Sequence, residues 1–426
     1  MSSRSKATRR SVWCWHFWAG LFVAPVMLIA SITGGVLVFE DDLKHAFDSA
    51  WHGSFQTDAI PVEDIPLNRL AEAARMAKGG TKPLSDVYVF SEPGRNVIFV
   101  FRDGPFDRRT ITRVAVSPTR ESVVEVRRGE SAVETFFRVV TTVHESMFLG
   151  TPGRIIVELV TGWGVVLLVT GIVLWWPKAW RVLGGVWTLR TSGPRYRVWR
   201  DWHTVPSAYL AIPAVLVLVS GMFLSFGTGQ IWTLGTFAAG GIPEVLFSPP
   251  TIEPPQSDRL DLDAALDAAI EQRPDARIYD LGMPYSKTDS LRVVAGSVAE
   301  PIGTAYVYVH PETGDVLATT GQAELPLHGQ PLALAYGIHV GGIGGLATRI
   351  LAVLVCLGLI AATCTGLVMW LVRRPAGRVG APKRVEGPLS RSYVIGAGVL
   401  GVMMPSFGVS VVAVLIIGFV TRRLTR

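Results

Sequence analysis

Four histidines mark themselves by position. His16 and His203 each follow a tryptophan, Trp15 and Trp202, and each opens a long apolar run. His144 and His339 each precede one. The first two match at an offset of 187 residues and the second two at an offset of 195. Imidazole is a metal ligand that works near neutral pH. Two imidazoles facing each other suit axial ligation of a haem iron, whose remaining ligands come from the macrocycle. Zinc fits worse, because it takes three or four close ligands and no Cys, Asp or Glu accompanies either pair.

The other candidates narrow the chemistry further. Cys14, Cys356 and Cys364 all lie in apolar segments, which argues against a disulfide scaffold, Cys-ligated zinc or an iron–sulfur cluster. Of the remaining histidines, His45 and His52 have no repeat partner and His310 falls in a turn. His328 lies eleven residues before His339 and is a candidate to line or substitute in the same site. Gly342-Ile-Gly344-Gly-Leu-Ala347 matches G-x-G-x-x-A but lacks the strand and helix context of a dinucleotide site.

These histidines need elements to carry them. The chain has 426 residues, 49% apolar and 17% charged, against about 25% charged in soluble proteins. Its mean hydropathy of +0.37 reads as a membrane protein. The net charge of +6 forms no nucleic-acid-like stripe, so no nucleic-acid partner is expected. Runs near 12–39, 155–176, 203–226 and 350–372 are long enough to cross a bilayer. A fifth, near 393–420, contains Pro405, which breaks it into a re-entrant segment unless the C-terminus is an exception to the charge rule.

Basic residues cluster in 1–10, in the loop with Lys178, Arg181, Arg190 and Arg200, and in the loop with Arg373, Arg378, Lys383 and Arg384. The positive-inside rule places these three in the cytoplasm and the loops 41–143 and 227–338 outside. The expected order is 1–40, N-terminus and first span; 41–143, outer loop; 144–202, second span and inner loop; 203–226, third span. It continues with 227–338, outer loop; 339–391, fourth span and inner loop; 392–426, C-terminal apolar segment.

The chain repeats. Gly34 and Gly221 come eighteen residues after His16 and His203, each preceded by a hydroxyl residue, Thr33 or Ser220. Gly150, Arg154, Thr170-Gly171 and Trp175 match Gly345, Arg349, Thr365-Gly366 and Trp370. Both halves share one orientation, with a pseudo-two-fold axis along the membrane normal. Eighteen helical residues rise about 27 Å. That puts Gly34 and Gly221 level with His144 and His339, and Gly171 and Gly366 level with His16 and His203. Glycines there let a macrocycle approach the backbone. Arg154 and Arg349, ten residues after the outer histidines, are candidates to pair with its propionates.

Both outer loops read as small α+β modules. The second predicts a helix over 262–270, strands over 291–295 and 305–309, a turn at 310–314 and a strand over 315–318. The first predicts a helix over 67–76, strands over 86–90, 96–101 and 112–116, and a turn at Ser117-Pro118.

The two His-to-(Ser/Thr)-Gly spans, the two spans ending Thr-Gly-x-x-x-Trp and the stretch Leu262-Asp-Ala-Ala-Leu…His310-Pro-Glu-Thr-Gly314-Asp-Val-Leu317 together resemble the PepSY-associated transmembrane helix family of iron-regulated membrane proteins. The resemblance covers roughly residues 10–375. The first loop departs from it, with Thr119-Arg120-Glu121 in place of a Thr-Gly-Asp turn. The resemblance implies a bacterial inner-membrane protein with a four-helix membrane bundle, two PepSY-like periplasmic modules and two haem b groups. It implies a periplasmic ferric-siderophore substrate reduced from Fe(III) to Fe(II). The electron donor is then a cytoplasmic reductase or a membrane quinol.

Three rival readings compete. A membrane-anchored regulator that binds a periplasmic peptidase needs no haem. A transporter is suggested by the repeats alone, but no acidic residue lies well inside a span to couple ions. A third reading keeps the haems and changes the acceptor, for instance to a copper ion.

Overall fold

The computed structural model describes residues 3–47, 60–79, 81–92, 94–102, 111–176, 183–254, 260–297, 300–382 and 391–424. His52, Lys178, Arg181, Lys383 and Arg384 lie outside them. The chain forms two compact units. One is helical and comprises Met1–Val38, Val139–Leu234 and Ile338–Arg426. The other, built on a sheet, comprises Phe39–Arg138 and Gly235–Gly337.

The helical unit is built on α1 (Ser3–Leu37). The sheet unit opens with α2 (Glu40–Phe47) and α3 (Leu67–Lys78). A helix α4 (Ala132–Ser146) then leads to α5 (Gly150–Trp175), followed by α6 (Arg195–Tyr209), α7 (Ala211–Phe223) and α8 (Thr228–Ala238). The second half adds α9 (Leu262–Gln272), α10 (Gln330–Val340), α11 (Gly345–Arg373), α12 (Arg391–Met403) and α13 (Pro405–Leu424). Among the described residues three helices, Arg9–Leu37 within α1, α5 and α11, are long and apolar enough to cross a membrane. The pair α6 and α7 makes up to four, if bent elements count as one span. Within the unit, α1 packs on α5 and α11, as do α6 and α7.

Two of the apolar runs are interrupted, the second at Pro405 as its sequence suggests. The run 203–226 is not one helix but α6 and α7, bent by 68° at Leu210. Pro213 explains the break: it has no N–H to offer the Tyr209 carbonyl, and its ring crowds that oxygen. The C-terminal run breaks at Met404, before Pro405. There Gly401 and Gly408 approach so closely that a Cβ on Gly408 would lie 2.7 Å from the Gly401 carbonyl oxygen.

A carboxylate is buried in α5. Glu158 accepts bonds from Gly227 N and Thr228 N, both at 2.8 Å, and from Thr228 Oγ1 at 2.6 Å. It thereby occupies the open amides at the start of α8. Thr228 Oγ1 also lies 3.2 Å from Ser406 Oγ of α13.

In the sheet unit the two loops form one eight-stranded antiparallel sheet rather than separate modules. Strands β1 (Leu84–Phe90), β2 (Val97–Phe101), β3 (Thr112–Ser117) and β4 (Ser122–Arg128) come from the first loop. Strands β5 (Ile278–Gly282), β6 (Leu291–Ser297), β7 (Glu300–Val309) and β8 (Val316–Gly321) come from the second. The order β4-β3-β2-β1-β5-β6-β7-β8 is symmetric about the β1–β5 seam, where Val87 pairs with Leu281. Alternate residues on one face, including Val87, Phe99, Leu281 and Val293, pack against Leu70 and Ala74 of α3 and Leu266 and Ala269 of α9. Each fully buried Leu or Phe contributes about 1.5–3 kcal/mol. At the β3–β4 turn Glu121 takes the left-handed conformation (φ 47°) that Gly314 takes (φ 74°) between β7 and β8. The departing Thr119-Arg120-Glu121 sequence thus also turns through one left-handed residue, here without a glycine.

Candidate functional site

Each of the four histidines is positioned by a different helix. His16 is in α1 and His203 in α6. His144 is near the end of α4 and His339 near the end of α10. Both short helices stop at a tight turn before the next long helix. The first turn uses positive φ at Met147 (50°), Phe148 (61°) and Gly150 (60°), the second at Gly341 (74°) and Gly345 (63°).

The helices bring the histidines together in pairs across the repeat. The His16 and His203 ring centres are 6.3 Å apart with planes at 86°. Those of His144 and His339 are 6.1 Å apart with planes at 56°. A metal bonds an imidazole nitrogen at about 2.0–2.1 Å. One metal shared by two facing rings therefore holds their centres a little over about 6 Å apart.

Each ring is also oriented through its second nitrogen. His144 Nδ1 donates to Ala30 O at 3.0 Å, His203 Nδ1 to Ala362 O at 2.9 Å and His339 Nδ1 to Val217 O at 2.9 Å. His16 Nδ1 lies 2.9 Å from Thr170 Oγ1. That hydroxyl gives its proton to Val166 O, so it accepts from the imidazole. Among the described residues no hydrogen bond engages any of the four Nε2 atoms. Fixing Nδ1–H on an oxygen sets the tautomer and leaves the Nε2 lone pair open to a metal.

The glycines of the hydroxyl-glycine pairs open these seats. A Cβ on Gly34 would lie 3.0 Å from His144 Cε1, and one on Gly221 2.9 Å from His339 Cε1. On Gly171 it would lie 3.5 Å from His16 Cε1, and on Gly366 3.4 Å from His203 Cε1. The sequence reading turned these glycines toward a macrocycle. What a side chain there would meet first is an imidazole. The acceptor carbonyls of Ala30, Val217 and Ala362 lie four residues before Gly34, Gly221 and Gly366, so one turn of helix supplies both gap and acceptor.

A cavity of about 830 Å³ opens around His16 and His203, within the size range of cofactor and ligand sites. Gly171, Gly366, Met27 and Gly164 line it, with Arg9, Arg10, Arg200 and Arg373. Sequence reasoning used these arginines for topology alone. Their signal was proximity: Arg200 is three residues before His203, and Arg373 seven after Gly366. The two arginines proposed for the outer level have protein contacts of their own. Arg349 donates to Val38 O near the end of α1 at 2.9 Å, and Arg154 lies 3.9 Å from Glu145. In the sheet unit, His328 Nε2 lies 3.1 Å from Ala239 O, and His310 serves its turn through Nδ1 and Glu312 N. Among the described residues no three His, Cys, Asp or Glu side chains gather to hold a metal ion.

Repeat-related helices with histidine pairs shared between the halves define an integral membrane protein with two symmetric imidazole sites. The chain belongs to the PepSY-associated TM region family, whose model matches residues 13–373. No curated protein matches it.

Proposed function

We propose that the protein is a di-haem reductase of the bacterial inner membrane. In this reading it passes electrons from a cytoplasmic reductase or a membrane quinol to a periplasmic ferric siderophore, which then releases Fe(II). The observation that carries the reading is the pair geometry. Two imidazoles stand at the separation one shared metal requires, twice, each with Nδ1 committed and Nε2 open. Two protein ligands per site leave an iron's other positions to a macrocycle. Bound there, haem b supplies one-electron chemistry at a potential set by its surroundings.

The chain's own work is positional. His16 and His203 bind from one end of α1 and α6, and His144 and His339 from α4 and α10. The Thr-Gly and Ser-Gly seats hold the rings in register, and the apolar helices exclude water. No acid–base residue is required for electron transfer. The test is the absorption spectrum of detergent-purified protein. A Soret band that falls by half in His16→Ala/His203→Ala, and by half in His144→Ala/His339→Ala, supports the reading. Haem-free protein, with all four histidines replaceable, would instead favour a peptidase-binding regulator. Reoxidation of the reduced protein by ferric siderophore, and not by cupric ion, assigns the acceptor.

A further inference from the structure

The cavity beside His16 and His203 is lined unevenly. Along α1 its lining runs Arg9, Arg10, His16, then Val23, Ala24 and Met27. One end is thus cationic and the other apolar, with the imidazole between them. Arg373 joins the cationic end from α11, where its guanidinium lies 4.4 Å from the Trp13 ring centre. Arg200 is already committed to the Asp201 carboxylate at 2.7 Å. Arg9 donates to the Leu174 carbonyl. Among the described residues, Arg9, Arg10 and Arg373 have no carboxylate partner.

Guanidinium groups with no carboxylate beside them, at one end of an apolar cavity, fit an apolar molecule with acidic groups along one edge. Arginine binds carboxylates through paired N–H donors and keeps its charge at any working pH. We propose that Arg9, Arg10 and Arg373 hold the two carboxylates of the cofactor seated between His16 and His203, with its apolar edge toward Met27 and Gly164. This rests on the di-haem reading. It concerns the inner site alone and adds to Arg154 and Arg349, the candidates at the level of His144 and His339. The other source of an anion for the same guanidinium groups is a lipid phosphate.

The experiment uses the full chain in detergent. Haem per chain is measured by the pyridine haemochrome spectrum, and midpoint potentials by redox titration. In R9Q/R10Q/R373Q the haem content should fall from two toward one. The haem at His144 and His339 remains and reports a folded bundle. Any residual haem at the first site should titrate at a lower potential, because lost positive charge disfavours the reduced iron. R9K/R10K/R373K should recover most of the content, and Arg197→Gln, which removes a charge outside the cavity lining, should change neither quantity. Two haems at unaltered potentials in the glutamine variant overturn the proposal. If that variant also loses co-purified anionic lipid by native mass spectrometry, the arginines serve headgroups. Loss of both haems in the lysine variant too counts against it. A haem-free native chain fails the di-haem reading itself.

Discussion

His16 Nδ1 rests on the Thr170 hydroxyl at 2.9 Å, while the other three imidazoles each donate to a helix carbonyl. The four seats share a plan, but this one depends on a side chain that mutation can remove. The matching hydroxyl in the second half, Thr365 Oγ1, lies 3.3 Å from His203 Nδ1, which retains Ala362 O.

Thr170→Val should therefore weaken haem retention at the His16–His203 site by about 10–100-fold, the usual effect of losing an outer-shell partner. Thr365→Val should have a much smaller effect. Haem loss to an apoprotein acceptor, followed by absorbance, measures both. Equal loss in the two variants would show that the hydroxyl does not orient His16.

The glycines should also separate the sites. Gly34→Ala and Gly221→Ala place a methyl 3.0 and 2.9 Å from an imidazole carbon, so His144 or His339 must shift. Gly171→Ala and Gly366→Ala place it at 3.5 and 3.4 Å, ordinary contact distances. The first two variants should lose one haem signal or broaden it, and the last two should keep both. Low-spin electron paramagnetic resonance spectra read this directly. Uniform tolerance across all four positions would refute the seating role.

Glu158 tests whether a buried carboxylate in a long helix is structural. Its bonds to Gly227 N, Thr228 N and Thr228 Oγ1 are charge-assisted. Glu158→Gln should cost about 1.5–3 kcal/mol, seen as a lower melting temperature in detergent. The haem spectrum and the pH dependence of the midpoint potentials should stay as in the native chain. A changed pH slope would make Glu158 a proton-linked group instead.

Asp280 makes the sheet unit pH-sensitive. Burial, reinforced by the nearby Asp86 carboxylate, pushes its carboxyl up to about 6. Its Oδ1 has no hydrogen-bond partner among the described residues. Between the ordinary value near about 3.9 and that raised value, the folded protein holds a proton that the unfolded chain has released. The group's contribution is then full below about pH 4 and is lost as pH rises through about 6. Asp280→Asn should stabilise the protein by roughly 2–3 kcal/mol at pH 7.5 and by little at pH 4. Thermal unfolding at both pH values checks it. An equal effect at both would remove Asp280 as the cause.

Much of this was legible in the residues. The four histidines could be found because a duplicated chain repeats them at fixed offsets, which no local propensity could supply. The helices at 67–78 and 262–272 and most strands followed their apolar periodicity. The misses have physical causes. β5 is only five residues long, and β4 is largely exposed, so neither makes a strong pattern. The β1–β5 seam joins segments almost two hundred residues apart, and pairing at that range leaves no local trace. α4 and α10, which carry His144 and His339, are short and were absorbed into loops. The bend at Leu210 hid inside a long apolar run, with Pro206 and Pro213 on either side of it as its signs. The cavity arginines were hidden because a topology signal and a carboxylate site use the same residue.

The crossing of the pairs has one more consequence. Gly34 and Gly171 seat the first half's imidazoles, and Gly221 and Gly366 the second half's, yet each imidazole pair takes one ring from each half. Neither half can complete a site by itself. A half-length chain associating with a copy of itself about a two-fold axis would satisfy the same requirement twice. The architecture is that of a homodimer joined end to end. The two joined halves are not identical: one seat uses a hydroxyl where its counterpart uses a carbonyl.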